Sequence, residues 1–377
     1  MKRVNYWDYI AVEPLLKLQG GVDGDEGTVN NDELLFIVVH QVYELWFKLI
    51  LRELTQARDF FRRNPVPDHL LASSVRALRR VSTILAQAVA HFELIETLTT
   101  RDFLAFRDRL IPASGFQSAQ MREIEVLLGL DEQERIALGT GGSYLDALKD
   151  GEAPSPAYHR VTARLAGGPP LREVLDEWLF RTPIDGSSPG QPGDDERVRV
   201  FLQRYLDAVD REARRRLEEA APLQAHSEDA TARLQARYRA EVDQARAFLL
   251  AEDTPEGQRR RASRIRAALI FIESYRDLPL LAWPREVVDT IVELEQRFLL
   301  FRQRHARMVE RVIGRRIGTG GSSGVDYLDQ TAIRYRIFRN FWAVRTFLLR
   351  ESALPEIDTP EAYSFRFSVA PGKTPGA

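Results

Sequence analysis

The sequence predicts an all-α protein. Apolar residues recur at the three- and four-residue spacing of a helix along most of the 377-residue chain. Stretches rich in Pro, Gly and small polar residues separate these periodic segments. No run of alternating apolar and polar residues is long enough to predict a sheet.

The first long helix is predicted after a polar cap, for which Asn30, Asn31 or Asp32 is suited. Its first turn is acidic, which favours the positive end of the helix dipole. The segment runs without Pro or Gly to about Phe61, and Pro65 follows it closely. A helix of about 30 residues is therefore expected here.

The next helices are bounded by the same kinds of residue. A second long helix fits residues 70–96, a short one fits residues 100–110, and another begins a few residues later. The residues that can cap or stop them are Thr99 or Thr100, Pro112, and Ser114 with Gln117 in a capping box.

The middle of the chain differs in composition. Residues 185–195 are rich in Gly, Pro, Ser and Asp, which predicts a loop. Residues 196–250 are rich in Arg, Glu and Ala at helical spacing, which predicts two exposed helices around a loop near residues 222–227, with a solvated face. The remaining predicted helices are 256–275, 284–313 and 325–349.

Composition excludes several classes of site. The chain contains no Cys, so it has no disulfide, Cys-ligated zinc, cysteine-held iron–sulfur cluster, thiolate-ligated haem or cysteine nucleophile. A net charge of −2 does not favour a nucleic-acid-binding surface. No targeting segment and no continuous apolar stretch of membrane-spanning length is visible, so the sequence predicts a cytoplasmic protein without a membrane partner.

Two of the six histidines stand on apolar helix faces. His40 has aromatic and aliphatic residues at helical spacing, and so has His305. A buried imidazole needs a partner for each nitrogen, so a core histidine bonded to a neighbour is one interpretation. The other is an acid–base group or a ligand of a metal or haem. Without Cys, a haem here needs His, Met or Tyr, and His305 fits best.

Arg107 lies one helical turn after Phe103 in the segment TTRDFLAFRDRL. A guanidinium beside an aromatic ring needs a carboxylate, which arginine binds in a bidentate manner. Either an internal Asp or Glu or the carboxylate of a ligand meets this need.

The segment 318–324, GTGGSSG, is rich in glycine. It is a poor match to a phosphate-binding loop, since no lysine follows at the required position and a helix, not a strand, precedes it. A loop that folds over a ligand and offers backbone N–H groups and hydroxyls fits better. The related GTGGS at 139–143 is explained by a Gly-rich turn.

Four blocks of the sequence resemble the tryptophan 2,3-dioxygenase family. They are YWDYI at 6–10, DELLFIVVHQVYELWFK at 32–48, DFLAFRDRLIPASGFQS at 102–118 and RHARMVERVIGRRIGTGGSSG at 304–324. They occur in the family's order, and residues 139–260 contribute little. The resemblance implies a helical-bundle haem dioxygenase domain.

The resemblance also implies roles for individual residues. His305 would be the axial ligand of haem b, one per subunit, and His40 would accept a hydrogen bond from the indole N–H. Arg107 would bind the substrate carboxylate. The remaining implied contacts are Thr319 with the ammonium and carboxylate groups, Ser114 near the haem edge, and Phe36 and Phe103 as walls of the indole pocket.

In this family the N-terminal segment reaches the site of a neighbouring subunit, which implies a homotetramer. Tyr6, Tyr9 and Ile10 lie on that segment. The chain departs from the family pattern at Trp7, where Gly is common, and at Phe301, where Trp is common. The first bears on the subunit contact and the second on the wall behind the haem.

The activity implied is cleavage of the C2–C3 bond of L-tryptophan by O2 to give N-formyl-L-kynurenine, the first step of the kynurenine pathway. Two alternatives stay open: a haem monooxygenase or dioxygenase of the same fold acting on a modified tryptophan, and a non-enzymatic helical interaction protein. A single domain over 1–377 is expected, with an N-terminal arm at 1–30, a charged helical elaboration at about 185–280 and a tail at 365–377.

Overall fold

The structure is a computed structural model that describes residues 4–136, 143–220, 228–318 and 324–365. It confirms the all-α prediction. Its α-helices are α1 Tyr6–Tyr9, α2 Val12–Leu15, α3 Asn31–Phe61, α4 Asp68–Ile95, α5 Thr100–Arg107, α6 Ala119–Leu128, α7 Pro156–Leu165, α8 Leu171–Arg181, α9 Asp194–Ala220, α10 Glu228–Leu249, α11 Glu256–Ser274, α12 Ala282–Ile313, α13 Val325–Arg334 and α14 Arg339–Ala343.

The strands of the described residues form one antiparallel pair of two residues each, β1 Lys149–Asp150 and β2 Ala153–Pro154. Short 3-10 turns join the helices. They are Glu26–Thr28, Asp108–Leu110, Gly115–Gln117, Glu132–Glu134, Asp146–Leu148, Pro279–Leu281, Val344–Phe347, Glu351–Ala353 and Pro360–Tyr363.

Helix ends form where the sequence places polar caps. The Asn30 side chain accepts a hydrogen bond from the backbone N–H of Glu33 at 2.8 Å, which caps α3. Thr99 caps α5 in a reciprocal capping box with Asp102. Local hydrogen bonding therefore sets these boundaries, and α3, α4, α11 and α12 end close to where the sequence predicts.

The chain divides into two compact units. The first contains Met1–Asp59, Arg76–Arg172 and Glu293–Ile337. Its core is formed by large side chains from the long helices, which are almost completely removed from solvent. Among them are Ile50, Leu54, Leu78, Leu85, Phe92, Phe106, Ile124 and Phe298. Burial of each such side chain contributes roughly 1.5–3 kcal/mol of hydrophobic free energy.

The second unit contains Phe60–Val75, Glu173–Val292 and Phe338–Ala377, and so includes the charged middle of the chain. Helix α9 buries one face, which carries Phe201, Tyr205 and Val209, and exposes the opposite face. Helix α10 is largely exposed along its first half. The predicted pair of charged helices is confirmed, and the loop expected near 222–227 lies outside the described residues.

One predicted helix is wrong in its extent. Residues 325–349 were expected to form a single helix, but α13 ends at Arg334 and α14 begins at Arg339. Between them the Tyr335 side chain is buried and accepts a hydrogen bond from the N–H of Ile136 at 3.1 Å. The N–H of Ile337 donates to the Glu295 carboxylate. These tertiary contacts replace the helical hydrogen bonds that local propensity favours.

Helix α3 is long and apolar enough, by length and composition, to cross a membrane, which the sequence analysis did not expect. The sequence prediction required a continuous apolar stretch. The mean hydropathy over 18 residues stays high in α3 even though a few polar residues interrupt such a stretch. Core helices of soluble proteins pass the same test. Only 28% of the most apolar stretch is buried within this chain, and Val38 and Leu45 are among its exposed apolar side chains.

Candidate active site

The two histidines singled out in the sequence both lie in the first unit, on α3 and α12, and a chain of aromatic rings connects them. The ring centroid of Tyr43 lies 6.4 Å from that of His40 and 5.3 Å from that of Phe92. Phe92 in turn stacks on His305 at 5.6 Å with an interplanar angle of 12°. Residues separated by more than 260 positions in the chain therefore share one aromatic cluster.

The tautomer of His40 follows from its backbone contact. Its Nδ1 lies 2.7 Å from the carbonyl oxygen of Phe36, and a carbonyl can only accept, so Nδ1 carries the proton. Nε2 is then left with a lone pair. Burial lowers the pKa of His40, although the Phe36 carbonyl and the charge of Glu44 act in the opposite direction. His40 is thus a neutral hydrogen-bond acceptor at neutral pH.

The His40 side chain is also open to solvent in this chain, although it is enclosed by enough protein to lose much of its hydration. A side chain at the base of a recess is both accessible and poorly hydrated, because single water molecules reach it while protein surrounds it on most sides. The position suits a group that meets a bound molecule.

The side chain of His305 makes no hydrogen bond to any residue in the described part of the chain. Burial is the main cause that lowers the pKa of His305 to about 4, and the nearby His40 ring and the charge of Arg122 add to the effect. The imidazole is therefore neutral, and its nitrogen lone pair is available. Phe301 lies beside it, with ring centroids 6.3 Å apart.

The ring of Phe36 lies next to His40, and two further phenylalanine rings pack on Phe36. Phe36 lies 4.0 Å from the His40 ring, 5.8 Å from Phe103 and 5.6 Å from Phe106, measured between centroids. Phe103 and Phe106 meet edge to face at 5.3 Å. Such packing provides an apolar wall against which a flat aromatic ligand can lie.

Arg107 lies at the last position of α5, one turn after Phe103, so it shares the side of the pocket that the aromatic rings form. Its Nη2 donates to the carbonyl oxygen of Ile317 at 2.6 Å, and its Nε is buried without a partner. None of the carboxylates of the described residues pairs with it. The guanidinium therefore keeps donors for the carboxylate of a bound molecule, as one interpretation of the sequence proposed.

The Ile317 carbonyl marks the entry to the glycine-rich loop. At the exit, Gly324 has φ 58°, and a Cβ there would lie 2.9 Å from the carbonyl oxygen of Arg316, so this position needs glycine. Thr319 falls outside the described residues, and so does most of the first GTGGS. Ser114 is half-buried, and its N–H donates to Oε1 of Gln117 at 3.2 Å, which is part of the predicted capping box.

The N-terminal segment does not bring its candidate residues to the site of the same chain. Tyr6, Tyr9 and Ile10 expose 75%, 79% and 44% of their surface. The C-terminal end of this segment is held to α3, where Nε2 of Gln41 donates to the carbonyl oxygen of Leu18 at 2.8 Å. Gln41 follows His40 directly, so this end of the segment lies near His40, while Tyr6, Tyr9 and Ile10 are exposed to solvent.

Three residues of the aromatic cluster around the two histidines were not predicted from the sequence. Tyr43 and Phe92 link the two histidines, and Phe106 completes the aromatic wall. Phe106 stands three residues after Phe103, a spacing that could have revealed it. Phe92 gives no local signal, because only packing of α4 against its neighbours places it on His305.

The arrangement combines two neutral imidazoles, an aromatic recess and a guanidinium without a carboxylate partner. One imidazole accepts a hydrogen bond, and the other has a lone pair suited to an axial metal ligand. A flat aromatic molecule that carries an N–H and a carboxylate would satisfy both ends of the recess.

Comparison with known proteins gives concordant matches. The model of the tryptophan 2,3-dioxygenase family matches residues 1–348. The chain is 61% identical over 376 residues to a protein of Sorangium cellulosum named tryptophan 2,3-dioxygenase, a match covering 98% of this chain and 89% of that protein. It is 57% identical over 372 residues to tryptophan 2,3-dioxygenase 2 of Ralstonia nicotianae, covering 97% and 98%. It is 34% identical over 368 residues to tryptophan 2,3-dioxygenase of Bdellovibrio bacteriovorus, covering 97% and 98%.

Proposed function

Since the chain belongs to the tryptophan 2,3-dioxygenase family, we propose that it cleaves the C2–C3 bond of the indole ring of L-tryptophan with O2, giving N-formyl-L-kynurenine. This is the first step of tryptophan catabolism by the kynurenine pathway. The four-block resemblance seen in the sequence is confirmed by the family match, and it rules out the non-enzymatic alternative. Relatives named for tryptophan itself do not favour a modified substrate.

The observation that carries the proposal is that Phe36 contacts both His40 and Phe103, and that Arg107 follows Phe103 by one turn of α5. His40 presents Nε2 as an acceptor because Nδ1 donates to the Phe36 carbonyl. Arg107 has a buried Nε without a partner. The indole N–H and the α-carboxylate of tryptophan match these two groups, and Phe36 and Phe103 suit the indole ring between them.

His305 is the residue that would hold haem b. Its neutral, unbonded imidazole fits an axial ligand, because a ligand must offer a lone pair rather than a proton. Haem, when bound, supplies the redox chemistry that activates O2. The rings of Phe92 and Phe301 would fix the imidazole plane by packing on it.

The chain's own residues bind and orient the substrate. A charge-assisted pair between Arg107 and the carboxylate contributes on the order of 1.5–3 kcal/mol, which favours an amino acid over free indole. The hydrogen bond to His40 would fix the orientation of the indole ring against the aromatic walls. We assign no obligatory proton abstraction to His40, because an indole N–H need not ionise before attack on the ring.

Thr319, at the start of the glycine-rich loop, is assigned to the ammonium and carboxylate groups, and Ser114 to the haem edge. The bond from Arg107 to the Ile317 carbonyl supports the loop assignment, since the segment that leads into the loop contacts the guanidinium to which the substrate carboxylate is assigned. The aromatic walls would keep water from the reacting centre.

The active assembly is proposed to be a homotetramer in which Tyr6, Tyr9 and Ile10 reach the site of a neighbouring subunit. Their exposure supports this, and so does the apolar surface that α3 leaves uncovered. We also propose a single functional domain over 1–377, with the charged helices at about 185–280 as an elaboration, and a cytoplasmic location.

Absorption spectroscopy and isotope labelling test the function together. Purified protein should show a haem band that changes when dithionite and L-tryptophan are added. With ¹⁸O₂, the N-formyl-L-kynurenine should carry two labelled atoms. One labelled atom would indicate a monooxygenase, and a colourless protein that gains no band when reconstituted with haem would refute the haem assignment.

A further inference from the structure

A buried cluster of charges lies in the first unit, close to His305 but outside the recess described above. Its centre is the Glu125 carboxylate, which is 3% exposed. Oε2 accepts from Nη1 of Arg122 and from Nη1 of Arg135, each at 2.8 Å. Oε1 accepts from Nη2 of Arg302 at 3.0 Å. Three guanidiniums therefore share one carboxylate.

The carboxylate of this tri-arginine cluster is ionised. Burial alone would raise the pKa of Glu125, but the charges of Arg122, Arg302 and Arg135 outweigh it and hold the pKa at about 2. In the described part of the chain, one further carboxylate is seen to bond to these guanidiniums. Glu132 accepts from Nε of Arg135 at 2.9 Å, and its side chain is 54% exposed, so water screens much of its charge.

Three cations against one buried and one screened anion leave a net positive charge inside the protein. Nε of Arg122 and Nη2 of Arg135 are also buried without a partner. An excess of charge of one sign is costly to bury, and the protein keeps this one in spite of the cost. The excess indicates that the charge itself has a role beyond holding α6 and α12 together.

The position of the cluster indicates what that role is. Arg302 lies three residues before His305 on α12, about one helical turn away. Arg122 and Arg135 bind the same carboxylate as Arg302, so the three guanidiniums lie together beside this turn of α12. Their net charge repels any positive charge that His305 holds at its free nitrogen.

We propose that the tri-arginine cluster raises the reduction potential of the haem iron bound to His305 and so keeps it ferrous, the state that binds O2. One-electron reduction lowers the positive charge at the iron, so a nearby net positive charge stabilises the ferrous state relative to the ferric state. This inference rests on the haem site proposed above. It makes Arg122, Arg135 and Arg302 residues that act on the iron through space.

The test changes the charge of the cluster in both directions. Arg122→Gln removes one positive charge while keeping a hydrogen-bond donor, and Glu125→Gln removes the negative charge. The midpoint potential is measured by spectroelectrochemical titration of the haem band in the full-length holoprotein. Arg122→Gln should lower the potential and Glu125→Gln should raise it, each by about 59 mV or more, a tenfold change in the ferrous-to-ferric ratio.

Opposite signs separate an electrostatic role from structural damage, because a loosened haem pocket would shift both variants in the same direction. Arg122→Lys is the matched control, because it keeps the positive charge and changes the hydrogen bonds to Glu125. Its potential should stay close to that of the wild type.

A second pair of variants protects the test if Glu125→Gln does not fold. Arg135→Gln should lower the potential and Glu132→Gln should raise it, by less, since Glu132 is partly screened. Unchanged potentials, or shifts of one sign only, in a protein that holds haem would overturn this inference and leave the proposed function intact. A wild-type protein that cannot hold haem would overturn both.

Discussion

Replacement of Arg107 by alanine tests the substrate-binding part of the site most directly. Arg107 donates to the Ile317 carbonyl and has no carboxylate partner among the described residues. If its remaining donors bind the substrate carboxylate, the variant should lose one charge-assisted interaction, roughly 1.5–3 kcal/mol. Since 1.36 kcal/mol is a factor of ten, the dissociation constant for L-tryptophan should rise about 10- to 150-fold.

The assay is spectral titration of the haem band with two ligands. Tryptamine has the indole ring and the ammonium group of tryptophan but lacks the carboxylate. Loss of the Ile317 contact would weaken both ligands equally, whereas loss of a carboxylate contact would weaken L-tryptophan alone. The ratio of the two effects therefore isolates the interaction in question, as in a double-mutant cycle.

Arg101→Ala is the matched control, because Arg101 is an exposed arginine on the same short helix. It should leave binding of both ligands within about twofold, since exposed side chains away from a site contribute little. Equal weakening of tryptamine and L-tryptophan by Arg107→Ala would refute the assignment. Arg107→Lys should recover only part of the affinity, since lysine cannot bind a carboxylate in a bidentate manner.

Three further predictions concern the histidines and can be checked on the same protein preparations. His305→Ala should lose the haem or its Soret band, and an unchanged haem content and spectrum would show that another residue is the axial ligand. His40→Ala should retain haem and lower turnover about two- to tenfold, because the variant loses one neutral hydrogen bond. Complete loss of activity with intact tryptophan binding would argue for obligatory base catalysis instead. The pKa of His305 is about 4 in the folded chain and 6.5 in the unfolded chain, so unfolding takes up a proton when the pH lies between these values. The free energy of unfolding of the haem-free protein should therefore fall by about 3 kcal/mol as the pH falls from 6.5 to 4. His305→Gln should lose correspondingly less in urea titrations at the two pH values, and equal losses would contradict the depressed pKa.

The ring of Phe301 packs closely beside His305. It lies 5.2 Å from Phe92 and 6.1 Å from Tyr43. The side chain is 6% exposed, so it is packed on all sides. Phe301 therefore forms a closed aromatic contact beside the imidazole.

The sequence by itself determined much of the secondary structure. Helix caps such as Asn30 and Thr99 act through hydrogen bonds to residues three positions away, so their effect is readable without any tertiary contact. The same holds for proline, which ends a helix by its own ring geometry. The four motif blocks determined the family, which the comparisons confirmed.

Tertiary structure decided what depends on residues far apart in the chain. The break after Arg334 arises because Tyr335 and Ile337 bond to groups in distant segments, which no local pattern encodes. Likewise, the sequence left open whether Arg107 pairs with an internal carboxylate. Only the folded chain shows that the described carboxylates are all elsewhere.

The tri-arginine cluster is the clearest case. Arg122 and Glu125 read in the sequence as an ordinary helical ion pair three residues apart, and Arg302 as one more charge before a histidine. Folding brings the three guanidiniums to one buried carboxylate, in surroundings where charge is poorly screened. Sequence spacing determines which residues share a helix face, but the field at His305 depends on how separate helices pack, and that is a property of the tertiary structure alone.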